Sequence, residues 1–377
     1  MRRDISMSQY LFRNAEICDI GAKQFIRKDI RVKEGIISEI AARIAPAEND
    51  SVIDLAGKYL SPGWTDSHAH VYINDPLGIP QDTMLYSGVT FVVDAGTAGP
   101  LNYQDFVDSS LKPSKLPAKA YMHIAPYGVN KKGVELMDLS KVDVKMCVDA
   151  AKAFSEYVIG IKLRIDPRVC EDCPAAMRLA KEIAHKAGLP TIVHASRTDM
   201  KMEEVLAFLE KGDVFAHTYA NKTPGILDDK GRVKKCVYDA RDRGVFFDVS
   251  HGKSNFSFDV MTRAVEQGFL PDVVSTDLHK GSLNVVKSLP DTMSKVMACG
   301  VDFWDILRMV TENASVMLGL PERNIVIAEG RRADFSVFTL EEGECTFTDA
   351  DGNMKECAKK FVPFMSVVGG EMFAHSS

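Results

Sequence analysis

The chain has no long run of lysine and arginine, and its 46 basic residues are outnumbered by 52 acidic ones. With a formal net charge of −6 and a pI near 5.9, the basic face that a nucleic-acid partner requires is not expected. No uninterrupted apolar segment occurs in the first twenty residues, where Arg2, Arg3, Asp4, Arg13, Glu16 and Asp19 intervene. That argues against a secretory signal or membrane anchor there, so a cytoplasmic protein without a membrane partner is the expectation. Sequence repeats and low-complexity stretches are also lacking. The eight cysteines are scattered, which for a reducing compartment means free thiols. Cys170-Glu171-Asp172-Cys173 is the one close pair; a metal or redox role is open to it, although two loop cysteines without a second pair more often have none.

What is present suits a large α/β chain. The 377 residues, 46% of them hydrophobic, exceed one ordinary compact domain. One barrel of about 250 residues plus an appendage is a natural division. Short β-prone runs at 10–16, 20–25, 29–33, 36–40, 52–55 and 59–60 read as hairpins, and 333–338, 345–348 and 363–368 have the same character. Neither terminal group buries a core alone, so residues 1–61 and 325–377 are expected to pair into one small β-sandwich. Between them, over 62–324, strand-like and helix-like runs alternate as in a parallel sheet with crossover helices. Eight strands are expected near 63–71, 90–95, 120–125, 158–165, 191–195, 214–218, 246–250 and 273–276. Helices over 174–187, 201–211, 233–243 and 258–267 each end just before a glycine: Gly188, Gly212, Gly244 and Gly268. The pattern describes a (β/α)8 TIM barrel whose site lies at the C-terminal mouth of its strands.

The chain is organised around Trp64-Thr65-Asp66-Ser67-His68-Ala69-His70. In a strand, His68 and His70 project from one face, a geometry for gripping one metal ion. Later strand ends supply further candidates. Lys162 shares a face of an apolar strand with Arg164, and a buried lysine needs a partner. A simple Lys–Asp pair would serve, and so would carboxylation of the amine to a metal-bridging carbamate. His194 and His217 each follow a short apolar run and could be ligands or satisfied core histidines. Asp277, after Val273-Val274-Ser275-Thr276, offers a carboxylate that could bind a metal and move a proton.

Together these residues resemble the binuclear, carboxylated-lysine type of the amidohydrolase superfamily over nearly the whole chain. The resemblance implies two divalent metal ions, with zinc the first expectation. It places His68 and His70 on the more buried metal and His194 and His217 on the more exposed one. Lys162 would bridge the two as its carbamate, and Asp277 would ligate and shuttle protons. Dihydroorotases carry an arginine two residues beyond the second histidine, where this chain has Tyr72. The superfamily's deaminases are usually mononuclear and lack the lysine. Gly160-Ile161-Lys162-Leu163-Arg164 is more similar to a bacterial group often labelled dihydroorotase or adenine deaminase, whose members resemble deacetylases. Arg164 could clamp a substrate carboxylate or pair with a neighbouring one. His251 could meet substrate from the strand-seven loop, and Tyr127 and Tyr219 are mouth-loop candidates. His279 could orient Asp277, and neither His123 nor His185 is expected as a ligand. The expected enzyme hydrolyses an amide or ester of a small, carboxylate-bearing molecule, releasing an acyl group, and assembles as a homo-oligomer. A cyclic-amide hydrolase, a mononuclear deaminase and a non-catalytic scaffold are the alternatives.

Overall fold

A computed structural model describes residues 9–129, 135–320 and 326–374. In chain order the strands are β1 (Gln9–Asp19), β2 (Gln24–Lys33), β3 (Ile36–Ala41), β4 (Ser51–Asp54) and β5 (Tyr59–Pro62). There follow β6 (Trp64–Ala69), β7 (Val89–Ala95), β8 (Ala118–His123), β9 (Val158–Ile165), β10 (Thr191–Ala195), β11 (Val214–Ala216) and β12 (Phe246–Phe247). The last are β13 (Phe335–Thr348), β14 (Met354–Val368) and β15 (Glu371–Ala374).

Strands β6 to β12 hydrogen-bond in chain order, all parallel, and curl into a barrel. Every residue of β6 and β7 is buried, because a parallel strand covered on both faces can be apolar throughout. The eighth stave is present but is not the regular strand expected over 273–276. It joins its neighbours through single bridges, Asp248 with Val273 and Ala69 with Leu278. Asp277 adopts a left-handed φ of 50°, which breaks the ladder. Side chains take over there: Ser275 Oγ donates to Asp248 and Thr276 Oγ1 to Asp66, each at 2.6 Å. Strands β11 and β12 also stop earlier than expected: His217 (φ 59°) leaves the extended conformation directly after β11, and beyond Phe247 β12 continues only as the single bridge Asp248–Val273 before Ser250 (φ 41°).

The helices lie where the periodicity puts them, including Cys173–Ala187, Lys235–Asp242 and Phe258–Glu266. Gly188, Gly212, Gly244 and Gly268 all have positive φ, between 68° and 93°. The helix expected over 201–211 is shorter, Met202–Ala207, because i to i−3 bonds from Phe208 and Leu209 tighten its end.

The two termini pair, as expected, into a second sheet with its own core of Phe12, Ile30, Leu60, Phe335, Val337 and Val367 among others. Its order is β15-β14-β13-β5-β1-β2-β3, with β4 also on β1. The branch follows from a bulge between Phe12 and Ala15, where Asn14 has φ 58°. Residues 10–13 of β1 pair with β4, and Glu16 and Ile17 beyond the bulge pair with β5. Two details differ from expectation. Residues 20–23 form a turn rather than a strand, and the runs at 333–338 and 345–348 merge into one strand, β13. The β13–β14 hairpin reaches the barrel mouth, where Asp349 accepts from Phe258 N at 3.0 Å and Ala350 N donates to Phe256 O at 3.0 Å. No helix among the described residues is long and apolar enough to cross a membrane.

Candidate metal centre

Strand β6 delivers His68 to the barrel axis, and His70 follows directly after its end, one pleat further on. Asp277 comes to meet them from the eighth stave through its backbone bond to His68 O, at 2.6 Å. His70 Nε2 lies 3.1 Å and His68 Nε2 3.8 Å from the same Asp277 oxygen. Ligand atoms of the three residues lie within 4.8 Å of one another, and all three residues are buried. The His217 ring packs on His68 at 5.2 Å and on His194 at 4.1 Å between centroids. Lys162, on β9, is 2% exposed. The six residues singled out for metal binding thus come from the adjoining mouths of β6, β9, β10, β11 and the eighth stave.

Second partners fix which ring nitrogen of three histidines carries a proton. His217 Nδ1 lies 2.6 Å from the Ser250 carbonyl, which can only accept, so Nδ1 carries the proton. His70 Nδ1 meets Thr97 Oγ1 at 2.6 Å, and that hydroxyl spends its proton on Asp94. His68 Nδ1 meets Ser250 Oγ at 2.9 Å, and Ser250 in turn donates to Asp248 at 2.5 Å. In the neutral rings every Nε2 therefore presents a lone pair inward. Burial holds His68 and His194 well below the usual imidazole range and pushes His217 down to about 3. The Nε2 atoms of His68 and His217 are buried without any hydrogen-bond partner. Lone pairs facing a carboxylate repel unless a cation stands between them, so the residues fit a metal ion.

Lys162 has no carboxylate within ion-pair distance among the described residues, so the simple Lys–Asp pair is not formed. Burial lowers its amine to about 8, against the pull of Asp277. Gly96 (φ 89°) is required beside it, since a Cβ there would collide with the Lys162 stem. Arg164 pairs with buried Glu135 at 2.7 Å, yet its Nε is buried with no acceptor. Burial pushes Glu135 up to about 7, with Arg164 opposing.

The other candidates do not converge. His251 is buried, its Nδ1 donating to Gly252 O at 2.8 Å and its Nε2 3.3 Å from Lys295 Nζ, with the ring stacked on Phe256. Tyr219 is wholly buried and donates to Phe269 O at 3.3 Å, which makes it a core residue rather than a mouth one. Tyr127 is 51% exposed, and its carbonyl accepts from Asn102 Nδ2 at 3.2 Å. His279 Nδ1 holds the Asp277 carbonyl at 2.8 Å, the orienting contact expected of it. His123 accepts from Ala125 N, and His185 pairs with Glu210 at the surface. The sequence reading missed Ser250, Thr97, Asp94 and Asp248, which orient the ligand rings, and Glu135. The one signal available was Asp248-x-Ser250, a polar pair on one face of an apolar strand.

Comparison with known proteins places this arrangement. The amidohydrolase family profile matches residues 59–372. A deacetylase of Brucella anthropi is 32% identical over 351 residues, covering 91% of this chain and 87% of its own length. A deacetylase of Enterococcus faecalis is 31% identical over 352 residues, covering 92% and 95%. Among solved structures, one described as a dihydroorotase superposes with a TM-score of 0.89 at 30% identity, covering 98% of each chain. The chain belongs to the amidohydrolase family, and it is a metal-dependent hydrolase.

Proposed function

We propose that the protein deacylates a small carboxylate-bearing substrate, an N-acyl amino acid or an acylated hydroxy acid. The observation that carries this reading is the inward-facing set of Nε2 lone pairs around the Asp277 carboxylate. His68, His70 and Asp277 would hold one divalent cation, and His194 and His217 a second, with Lys162, as its carbamate, between them. When bound, the cations would lower the pKa of water and polarise the scissile carbonyl. Asp277 takes the proton of the attacking water and returns it to the leaving nitrogen or oxygen. Arg164 Nε–H, buried and still lacking an acceptor, is the donor left for the substrate carboxylate. The relatives named deacetylase support the acyl chemistry. We take the chain as two units, residues 1–61 with 325–377, and 62–324, the second boundary lying outside the described residues.

The test pairs metal analysis with a substrate screen. Protein prepared with zinc and bicarbonate should carry close to two metal ions per chain, and Lys162→Ala should lose most of them. One ion, unaffected by Lys162→Ala, would reject the bridged centre. Metal-loaded protein should hydrolyse N-acyl amino acids or acylated hydroxy acids. Opening of cyclic amides with no deacylation would replace this reading by the cyclic-amide one.

A further inference from the structure

The metal centre leaves one chemistry-bearing motif unused, Cys170-Glu171-Asp172-Cys173. Both sulfurs are free thiols, Cys170 2% and Cys173 8% exposed. Cys173 is the first residue of the fifteen-residue helix Cys173–Ala187, which Asp172 caps by accepting from Ala175 N at 2.8 Å. The positive end of the helix dipole favours a thiolate at a helix N-terminus. Cys170 and Cys173 face one cavity, and their side chains act on one another: the Cys170 thiol, with help from the Thr198 hydroxyl, holds Cys173 below the usual thiol range against its burial, and the same interaction drives Cys170 up. The two thiols line a surface cavity of about 760 Å³ together with Thr198, Met200 and Phe208.

The pair also ties together two loops that flank the metal centre. Cys170 forms a bridge with Leu136, through Leu136 N to Val169 O at 2.8 Å and Glu171 N to Leu136 O at 3.1 Å. Leu136 follows Glu135, whose carboxylate holds Arg164. Thr198, against Cys173, lies on the loop that leaves His194. A second thiol pair lies elsewhere, away from any helix start. Cys345 and Cys357 oppose each other across β13 and β14, but their sulfurs are turned to backbone carbonyls, Cys345 to Cys357 O and Cys357 to Lys359 O, each at 2.9 Å.

We propose that Cys170 and Cys173 form a reversible dithiol site that is oxidised by small-molecule disulfides, and that closing it loosens the Leu136 strip beside Arg164. The Cys173 thiolate attacks one sulfur of the small disulfide, forming a mixed disulfide and expelling one thiolate. Cys170 then gives its proton to solvent, attacks the Cys173 sulfur and expels the second thiolate. Two electrons pass from the protein dithiol to the small disulfide, and excess small thiol reverses both steps.

The test uses the full chain equilibrated with oxidised glutathione, acid-quenched, unfolded and alkylated with N-ethylmaleimide. Two of the eight cysteines should escape alkylation, both in the tryptic peptide 169–178, and dithiothreitol should restore them. Cys170→Ser should instead trap a mixed disulfide on residue 173. Alkylation of all eight cysteines, or a disulfide mapping to residues 345 and 357, would overturn the site. Hydrogen exchange at the Leu136 and Glu171 amides should quicken on oxidation of the wild-type chain. Unchanged exchange in a chain shown by mass to be oxidised would overturn the link to the Arg164 strip.

Discussion

Asp277 and Ser250 show how differently two residues of one site are exposed to inspection. Asp277 ends an apolar run and is a carboxylate, so its type and place already suggest chemistry. Its contact with His70 Nε2, at 3.1 Å, puts it among the ligand atoms. Asp277→Asn keeps an oxygen ligand but removes the base, so kcat should fall by about 10²–10⁴-fold. Metal content, measured on the same preparation, should hold; retained turnover would remove the proton-transfer role. Ser250 is invisible by comparison. A serine in an apolar strand has no distinctive meaning until the fold sets its hydroxyl 2.9 Å from His68 Nδ1, 182 residues away in sequence. Ser250→Ala frees the His68 ring and removes one of the two hydroxyls on Asp248, leaving that of Ser275. Metal affinity, read by competition with a chromogenic chelator, should drop about 10–100-fold, and an unchanged affinity would show that the ring needs no such support.

At the level of the element, local chemistry and tertiary override divide the chain between them. Helix ends were legible because glycine and capping residues act within a turn. Asp143 caps the helix Val144–Ala153 by accepting from Met146 N at 2.9 Å. Asp143→Ala should lower the unfolding free energy by about 1 kcal/mol, seen as a lower urea midpoint with an unchanged slope. Strand ends at the barrel mouth were not legible. His217, Ser250 and Asp277 all take φ between 41° and 59°, where non-glycine residues pay strain, and there the expected strands stop short. No propensity codes for that. The turn is held by contacts made only once the barrel closes, including His217 Nδ1 to Ser250 O at 2.6 Å. Gly252, at φ 56°, belongs to the same rim, since a Cβ there would strike the Asp277 carboxylate.

On the scale of the whole molecule, the barrel and the terminal sheet share an aromatic seam. Phe338 is fully buried and meets Trp64 at 5.1 Å, Tyr59 at 5.6 Å and Phe361 at 5.7 Å between ring centroids. Ser336 stitches the same seam, accepting from Trp64 N at 2.9 Å and donating to Gly88 O at 2.6 Å. Phe338→Ala should therefore destabilise both sheets together, by about 3–5 kcal/mol in urea unfolding. Separate transitions for the two sheets would show the seam to be dispensable. Metal removal should act globally as well, since an ion that binds only the folded chain stabilises it. At a free concentration a hundredfold above its dissociation constant that amounts to about 2.7 kcal/mol. A chelator should accordingly lower the thermal midpoint, and an unmoved midpoint would count against a site formed only on folding. The sequence by itself determined the alternation of strands and helices, the pairing of the termini and the identity of the ligand-type residues. Each of these rests on periodicity, turn chemistry or residue type, which act over a few neighbouring positions. Only the tertiary structure decided which nitrogen each histidine turns inward, that Arg164 is held by Glu135, and that Tyr219 and His251 are turned into the packing. Those outcomes depend on atoms brought together from distant strands, and no local stretch of chain contains them.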